Sequence, residues 1–227
     1  TIIRVGSSDG ADASKISTIS VVLNGASGLQ KTFAGTLILT GENTYTGDTD
    51  VVRGSLQVGA GGTSGSIKGD VEIFDGALLA FNRSDELTFE GDLSGEGSVK
   101  QSGSGSLTLS GDNSFEGNMH VADGELKAGA SGTVFGHGAL DIDAGAKVNL
   151  ADFDVSVFGL EGAGSIDLGG GSLNVDQIDD TAFSGSIAGS GSLTKDGKGT
   201  LTLSGKSSYM GNTEVLSGIL HQGASGS

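Results

Sequence analysis

The stretch "GTLTLSGKSSYMGNTEVLSGILHQGASG", residues 199–226, has two ungapped counterparts upstream: "GTLILTGENTYTGDTDVVRGSLQVGAGG" from Gly35 and "GSLTLSGDNSFEGNMHVADGELKAGASG" from Gly105. What stays fixed between the three decides the fold. Three glycine columns recur: Gly41, Gly111 and Gly205; Gly47, Gly117 and Gly211; Gly54, Gly124 and Gly218. Apolar columns recur between them, at Leu37, Leu107 and Leu201, at Leu39, Leu109 and Leu203, at Val51, Val121 and Val215, and at Leu56, Leu126 and Leu220. One aromatic column holds Tyr45, Phe115 and Tyr209. A repeated glycine marks a backbone that needs positive φ or has no room for a Cβ, and a repeated Leu or Val on alternate positions marks the inward side of a short strand.

The repeat extends beyond these stretches. "FEGDLSGEGSVKQSGSG" (89–105) and "FSGSIAGSGSLTKDGKG" (183–199) also align, so residues 89–133 and 183–227 are two copies of one longer block. Within a copy there is a finer step. Leu37, Leu56 and Leu78 follow one another, as do Leu107, Leu126 and Val148, at intervals of 19 and 22 residues. A step near 20 residues is the chain needed to run through two or three short strands and return above its start. The expected fold is therefore all-β, a parallel β-helix or β-solenoid of roughly ten coils, each setting its Leu over the Leu below. Stacked about 4.8 Å apart, ten such coils make a rod about 50 Å long.

Composition agrees with this and excludes several alternatives. The chain has 227 residues with 43 Gly, no Pro, no Cys and no Trp, and only 5% aromatic residues, little for the thick apolar core of a two-sheet sandwich. Twelve basic against 28 acidic residues give a net charge of −16. Phosphate neutralisation needs clustered Lys and Arg, so no nucleic-acid partner is expected. No apolar run approaches the ~20 residues of a membrane-spanning helix, so direct membrane insertion by this chain is not expected. Without cysteine, thiolate chemistry and disulfides are absent.

At "GTLTLSG…SYMGNTEVLSGIL" and "GTLILTGENTYTGDTDVVRGSL" the sequence resembles the autotransporter-associated β-strand repeat of type V, monomeric bacterial autotransporters, in particular adhesive and self-associating passengers. That resemblance implies a right-handed parallel β-helix. It further implies display at the bacterial cell surface, or secretion, through an outer-membrane β-barrel of the same polypeptide. The implied partners are a host-cell surface protein, matrix or glycan, or another copy of the chain. It also leaves open a non-catalytic stalk of an enzyme passenger and a released passenger acting as a soluble ligand. Residues 1–34 do not match and are expected to be irregular or N-terminal coils, continuous with a repeat-built 35–227 in a single domain truncated at both ends. By analogy with the earlier copies, Ser227 is expected at a turn between coils, with the last coil poorly ordered or covered by a neighbour.

Candidate chemistry is sparse. His120, His137 and His221 fall at outward or turn positions rather than beside a nucleophile, and no G-x-S-x-G elbow occurs; no enzyme activity and no cofactor are expected. The one metal candidate is a weak Ca²⁺ site among Asp141, Asp143, Asp176, Asp179 and Asp180, although no repeated glycine-rich nonapeptide or EF-hand loop accompanies them. A binding face is expected from outward polar positions: Glu42, Asp48, Asp50, Arg83, Asp112, Glu116, Asn118 and Asn212. The longest departures from the repeat, "AFNRSDEL" (80–87) and "NLADFDVSVFGL" (149–160), are where a grafted site would be expected, although ordinary variation in coil length is the favoured reading of them.

Overall fold

In a computed structural model, the described residues are 1–7, 12–130 and 135–224. Among them all regular structure is strand, every strand pairing is parallel, and no helix is long and apolar enough to cross a membrane. The expected turn at Ser227 lies outside the described residues.

The longest sheet has eleven strands, beginning at Ile16, Thr36, Ser55, Leu78, Ser98, Met119, Leu140, Leu160, Thr181, Thr200 and Ile219, each paired with the strand one coil on. These starts lie 19–23 residues apart, so the chain is a parallel β-solenoid of about ten turns. A second side of six strands runs from Glu86–Phe89 to Ser186–Ala188. A third side begins as five strands, Ile2–Arg4 to Leu93–Ser94, and resumes as four, Val155–Val157 to Thr213–Val215. Between them, bends continue the stack: Ser114 N–H donates to Leu93 O (2.7 Å) and His137 N–H to Phe115 O (2.8 Å). The strands Ile2–Arg4, Ile16–Ile19 and Leu29–Thr32 join the same sheets as the repeats.

The core is a set of inward columns. On the long sheet Leu37, Leu56, Leu79, Val99, Met119, Leu140 and Leu160 stand in register. On the second side Leu107, Leu126 and Val148 do so, as the 19- and 22-residue steps predict. One step requires correction. Leu79, not Leu78, stands over Leu56, while Leu78 pairs with Ser55 and is only half-buried. The loop 59–77 is one residue longer than the 22-residue step assumes, and a strand shifted by one residue turns every side chain to its other face.

The glycine columns separate by cause. The first stands over the coil below with no space for a Cβ: one at Gly111 would collide with the carbonyl oxygen of Gly91, and one at Gly205 with that of Gly185. The last, Gly54, Gly124 and Gly218, has φ of 71°, 65° and 70°, a region open to glycine at no steric cost.

Candidate functional site

The repeat sets some polar side chains inward. Lys31 and Lys195 are fully buried and Gln101 nearly so, at the same place in the three copies. Each closes the corner that follows it. Lys31 Nζ donates to the carbonyls of Phe33 and Arg53 at 2.7 Å and of Thr32 at 3.2 Å. Gln101 Nε2 donates to Gly103 O (2.8 Å) and Gly105 O (3.2 Å). Lys195 Nζ donates to Asp196 O and Gly197 O. Burial lowers the Lys31 ammonium to about 8 and pushes Lys195 in the same direction. The sequence carried a signal for this column, since the aligned "SVKQSG" and "SLTKDG" put Gln101 opposite Lys195 at an inward strand position. Copies taken from Gly35 begin too late to include Lys31.

The expected binding residues are not on one face. In copy one the strand after the glycine bend, Thr49–Val51, lies on the third side and carries Asp50, half-buried and accepting from Gln30 Nε2 at 3.1 Å. In copy two the matching strand Met119–Val121, preceded by Asn118, lies on the long sheet. In copy three Thr213–Val215, preceded by Asn212, is again on the third side, far along the rod. Asn118 holds the next coil, accepting Ala139 N–H at 2.9 Å, and Asn212 N–H donates to Ser192 Oγ at 3.2 Å.

Asp48 and Asp112 do share a column. Asp48, Asp70, Asp92 and Asp112 stand in successive coils, each carboxylate but the last accepting the backbone N–H of the aspartate above, at 3.2, 2.9 and 2.7 Å. Arg83 is engaged within the fold, its side chain only 11% exposed. Its guanidinium holds Asp85 through two bonds (2.7 and 2.9 Å), Thr63 O and Gly65 O (2.6 Å each) and Glu42 (3.4 Å). The bond to Asp85 raises the arginine further above its usual value and holds the Asp85 carboxyl below its own. Glu42 also accepts Gly65 N–H at 2.9 Å.

The five aspartates proposed for calcium divide. Asp141 and Asp143 meet His120, at 3.9 and 3.1 Å from its Nε2. Asp176 and Asp179 line a different cleft, and Asp180 accepts Thr200 N–H at 2.7 Å.

That cleft has a volume of about 400 Å³, and Asn118, one of the expected binding residues, lines it beside Asp176 and Asp179. Its apolar part is Phe158, 36% exposed, and Ile178, 77% exposed, with Ala139 between strands. His137 packs edge-on against Phe158 with ring centroids 4.8 Å apart and reaches Glu116 at 3.1 Å. Glu161, Asp176 and Asp179 complete a carboxylate rim. Phe158 falls in the departure at 149–160, where a grafted site is expected; Ile178 was not anticipated, though an isoleucine between Gln177 and Asp179 breaks a polar run.

Three stretches, residues 29–58, 99–128 and 193–221, match the passenger-associated transport repeat. Each begins at the strand that carries the buried Lys or Gln. The chain carries the repeat of autotransporter passengers. Passengers of this kind are displayed at the cell surface through the outer membrane. Over 154 residues, 64% of its length, the chain is 38% identical to the adhesin BmaC autotransporter of Brucella suis biovar 1 (strain 1330), and it spans only 4% of that protein. No solved structure matches.

Proposed function

We propose that this passenger acts in adhesion at the bacterial surface, binding a protein of the host-cell surface or matrix through the cleft at Phe158 and Ile178. The observation that carries the reading is the joining of an exposed apolar patch, Phe158 and Ile178, to neighbouring carboxylates. An aliphatic stem ending in a cation, as in Lys or Arg, would cover Ile178 with its stem and place its charge among Glu161, Asp176 and Asp179. The 38% identity to an adhesin supports the same class of role. A net charge of −16 opposes contact between identical copies at low salt, which favours a foreign partner over self-association. Two of the three histidines, His120 and His137, lie against carboxylates at 3.1 Å, an arrangement suited to recognition rather than to activation of a nucleophile. An outer-membrane β-barrel in the same polypeptide would display the rod.

Beads coated with the chain test this on host cells, on immobilised matrix proteins and on one another. Capture on cells or matrix above that of blank beads, weakening as salt screens the acidic rim, is the expected result. Clustering of beads with one another would favour self-association. Beads that bind no surface would favour a stalk that only carries another activity.

A further inference from the structure

We propose that His120, Asp141 and Asp143 form a three-ligand site, open to solvent, for one divalent ion of the zinc class. His120 lies on the strand Met119–Val121 and Asp141 directly opposite it on Leu140–Ile142. Asp143 follows that strand, fixed by its N–H to Val121 O at 2.9 Å. Three ligand atoms, one from each residue, all lie within 4.8 Å of one another. An ion held tetrahedrally at about 2.0–2.1 Å places its ligand atoms about 3.3 Å apart. The observed separations from His120 Nε2, 3.1 Å to Asp143 and 3.9 Å to Asp141, bracket that value, and the two carboxylates lie within 4.8 Å of each other; the proposed site closes by drawing them in about the ion.

The ligands are also available. Among the described residues neither carboxylate has a side-chain hydrogen bond except to His120. The strands that carry them are fixed by the ladder, which limits the ordering needed on binding. An imidazole beside two carboxylates suits zinc and its neighbours better than Ca²⁺, which takes six to eight oxygens. Along the same outward column Lys100 pairs with His120 and Glu161 with Asp141. The charged side chains around the imidazole are therefore one ammonium and three carboxylates, a field that favours a cation. Three protein ligands leave a fourth position for water or for a donor from another molecule.

Titration calorimetry of the 227-residue chain with ZnCl₂, in millimolar Mg²⁺ to occupy non-specific carboxylates, tests the site. One ion per chain is expected, with affinity falling at least tenfold in both His120→Ala and Asp143→Asn and unchanged in His137→Ala. All three substitutions point outward, and an unaltered circular dichroism spectrum establishes that the variants fold. Absence of binding, equal affinity in His120→Ala, or displacement of zinc by an equal concentration of Ca²⁺ would each overturn the proposal.

Discussion

Tyr45 and Thr49 illustrate how the repeat treats a buried hydroxyl. Tyr45 Oη and Thr49 Oγ1 lie 2.7 Å apart in the core, and Tyr209 and Thr213 repeat the pair at 2.6 Å. In copy two both polar groups are exchanged together, for Phe115 and Met119, each fully buried. Removing both partners of a buried hydrogen bond is cheap, whereas removing one leaves the other desolvated at about 1–3 kcal/mol. Thr49→Met should therefore destabilise the chain by about that amount, and adding Tyr45→Phe should recover part of the loss. Urea unfolding of the single and double variants measures this; a double variant less stable than Thr49→Met would contradict it. Lys31 supplies a second test. Its folded value of about 8 lies below the ordinary 10.5, so between those values the unfolded chain retains a proton that the folded chain has lost. Stability therefore rises with pH across that window. Lys195 acts in the same direction, and Tyr45, raised by burial, opposes only above its ordinary value of 10.0. In Lys31→Met the rise in urea midpoint between about pH 8 and 9.5 should be smaller than in the parent, and an equal rise would refute the assignment.

The element that governs stacking is the strand with its following glycine bend. In Gly164, Gly185 and Gly205 a Cβ on the second or third would enter the carbonyl oxygen of the glycine before it. Neither backbone can withdraw, because the ladder fixes both coils. Gly185→Ala should cost about 1–3 kcal/mol, the usual range for overpacking. Gly62→Ala, with nothing near its added Cβ, should change stability by less than about 0.5 kcal/mol. Thermal unfolding of the two variants compares them, and equal melting temperatures would sink this explanation of the glycines. Strand and turn chemistry made most of this level legible in the sequence, because inward Leu and close-packed Gly recur at fixed places. Register across loops was not, as Leu78 against Leu79 demonstrates: a loop may gain a residue without changing its composition, yet the strand beyond it then presents its other face. The buried Lys and Gln column was only half legible. Alternation marks Gln101 and Lys195 as inward, but what a polar side chain does there is not evident until the turn carbonyls it serves are seen.

At the scale of the rod, the spacing of the copies determines what kind of surface is possible. The first strand of copy one, Thr36–Leu39, and that of copy three, Thr200–Leu203, lie on the long sheet, whereas that of copy two, Ser106–Leu109, lies on the second side. Copies 70 and 94 residues apart are not separated by whole numbers of coils of about 20, so identical sequence positions face different directions. The sequence therefore revealed the scaffold but misdirected the search for a site, since residues aligned in the repeat are not neighbours in space. Of the residues that do converge, Phe158, Ile178, Asp141 and Asp143 come from the stretch between copies, while Asn118 and His120 are positions of copy two that meet them only because of where that copy falls on the coil. We infer that recognition rests on one local cleft rather than on a periodic face. The most direct test compares bead adhesion to host cells and matrix for two variants of the chain, Phe158→Ser/Ile178→Asp and, at repeat positions away from the cleft, Asp48→Asn/Asp112→Asn/Asn212→Ala. The cleft variant should lose most of the capture while the repeat-position variant keeps it; capture retained by the first and lost by the second would contradict the account.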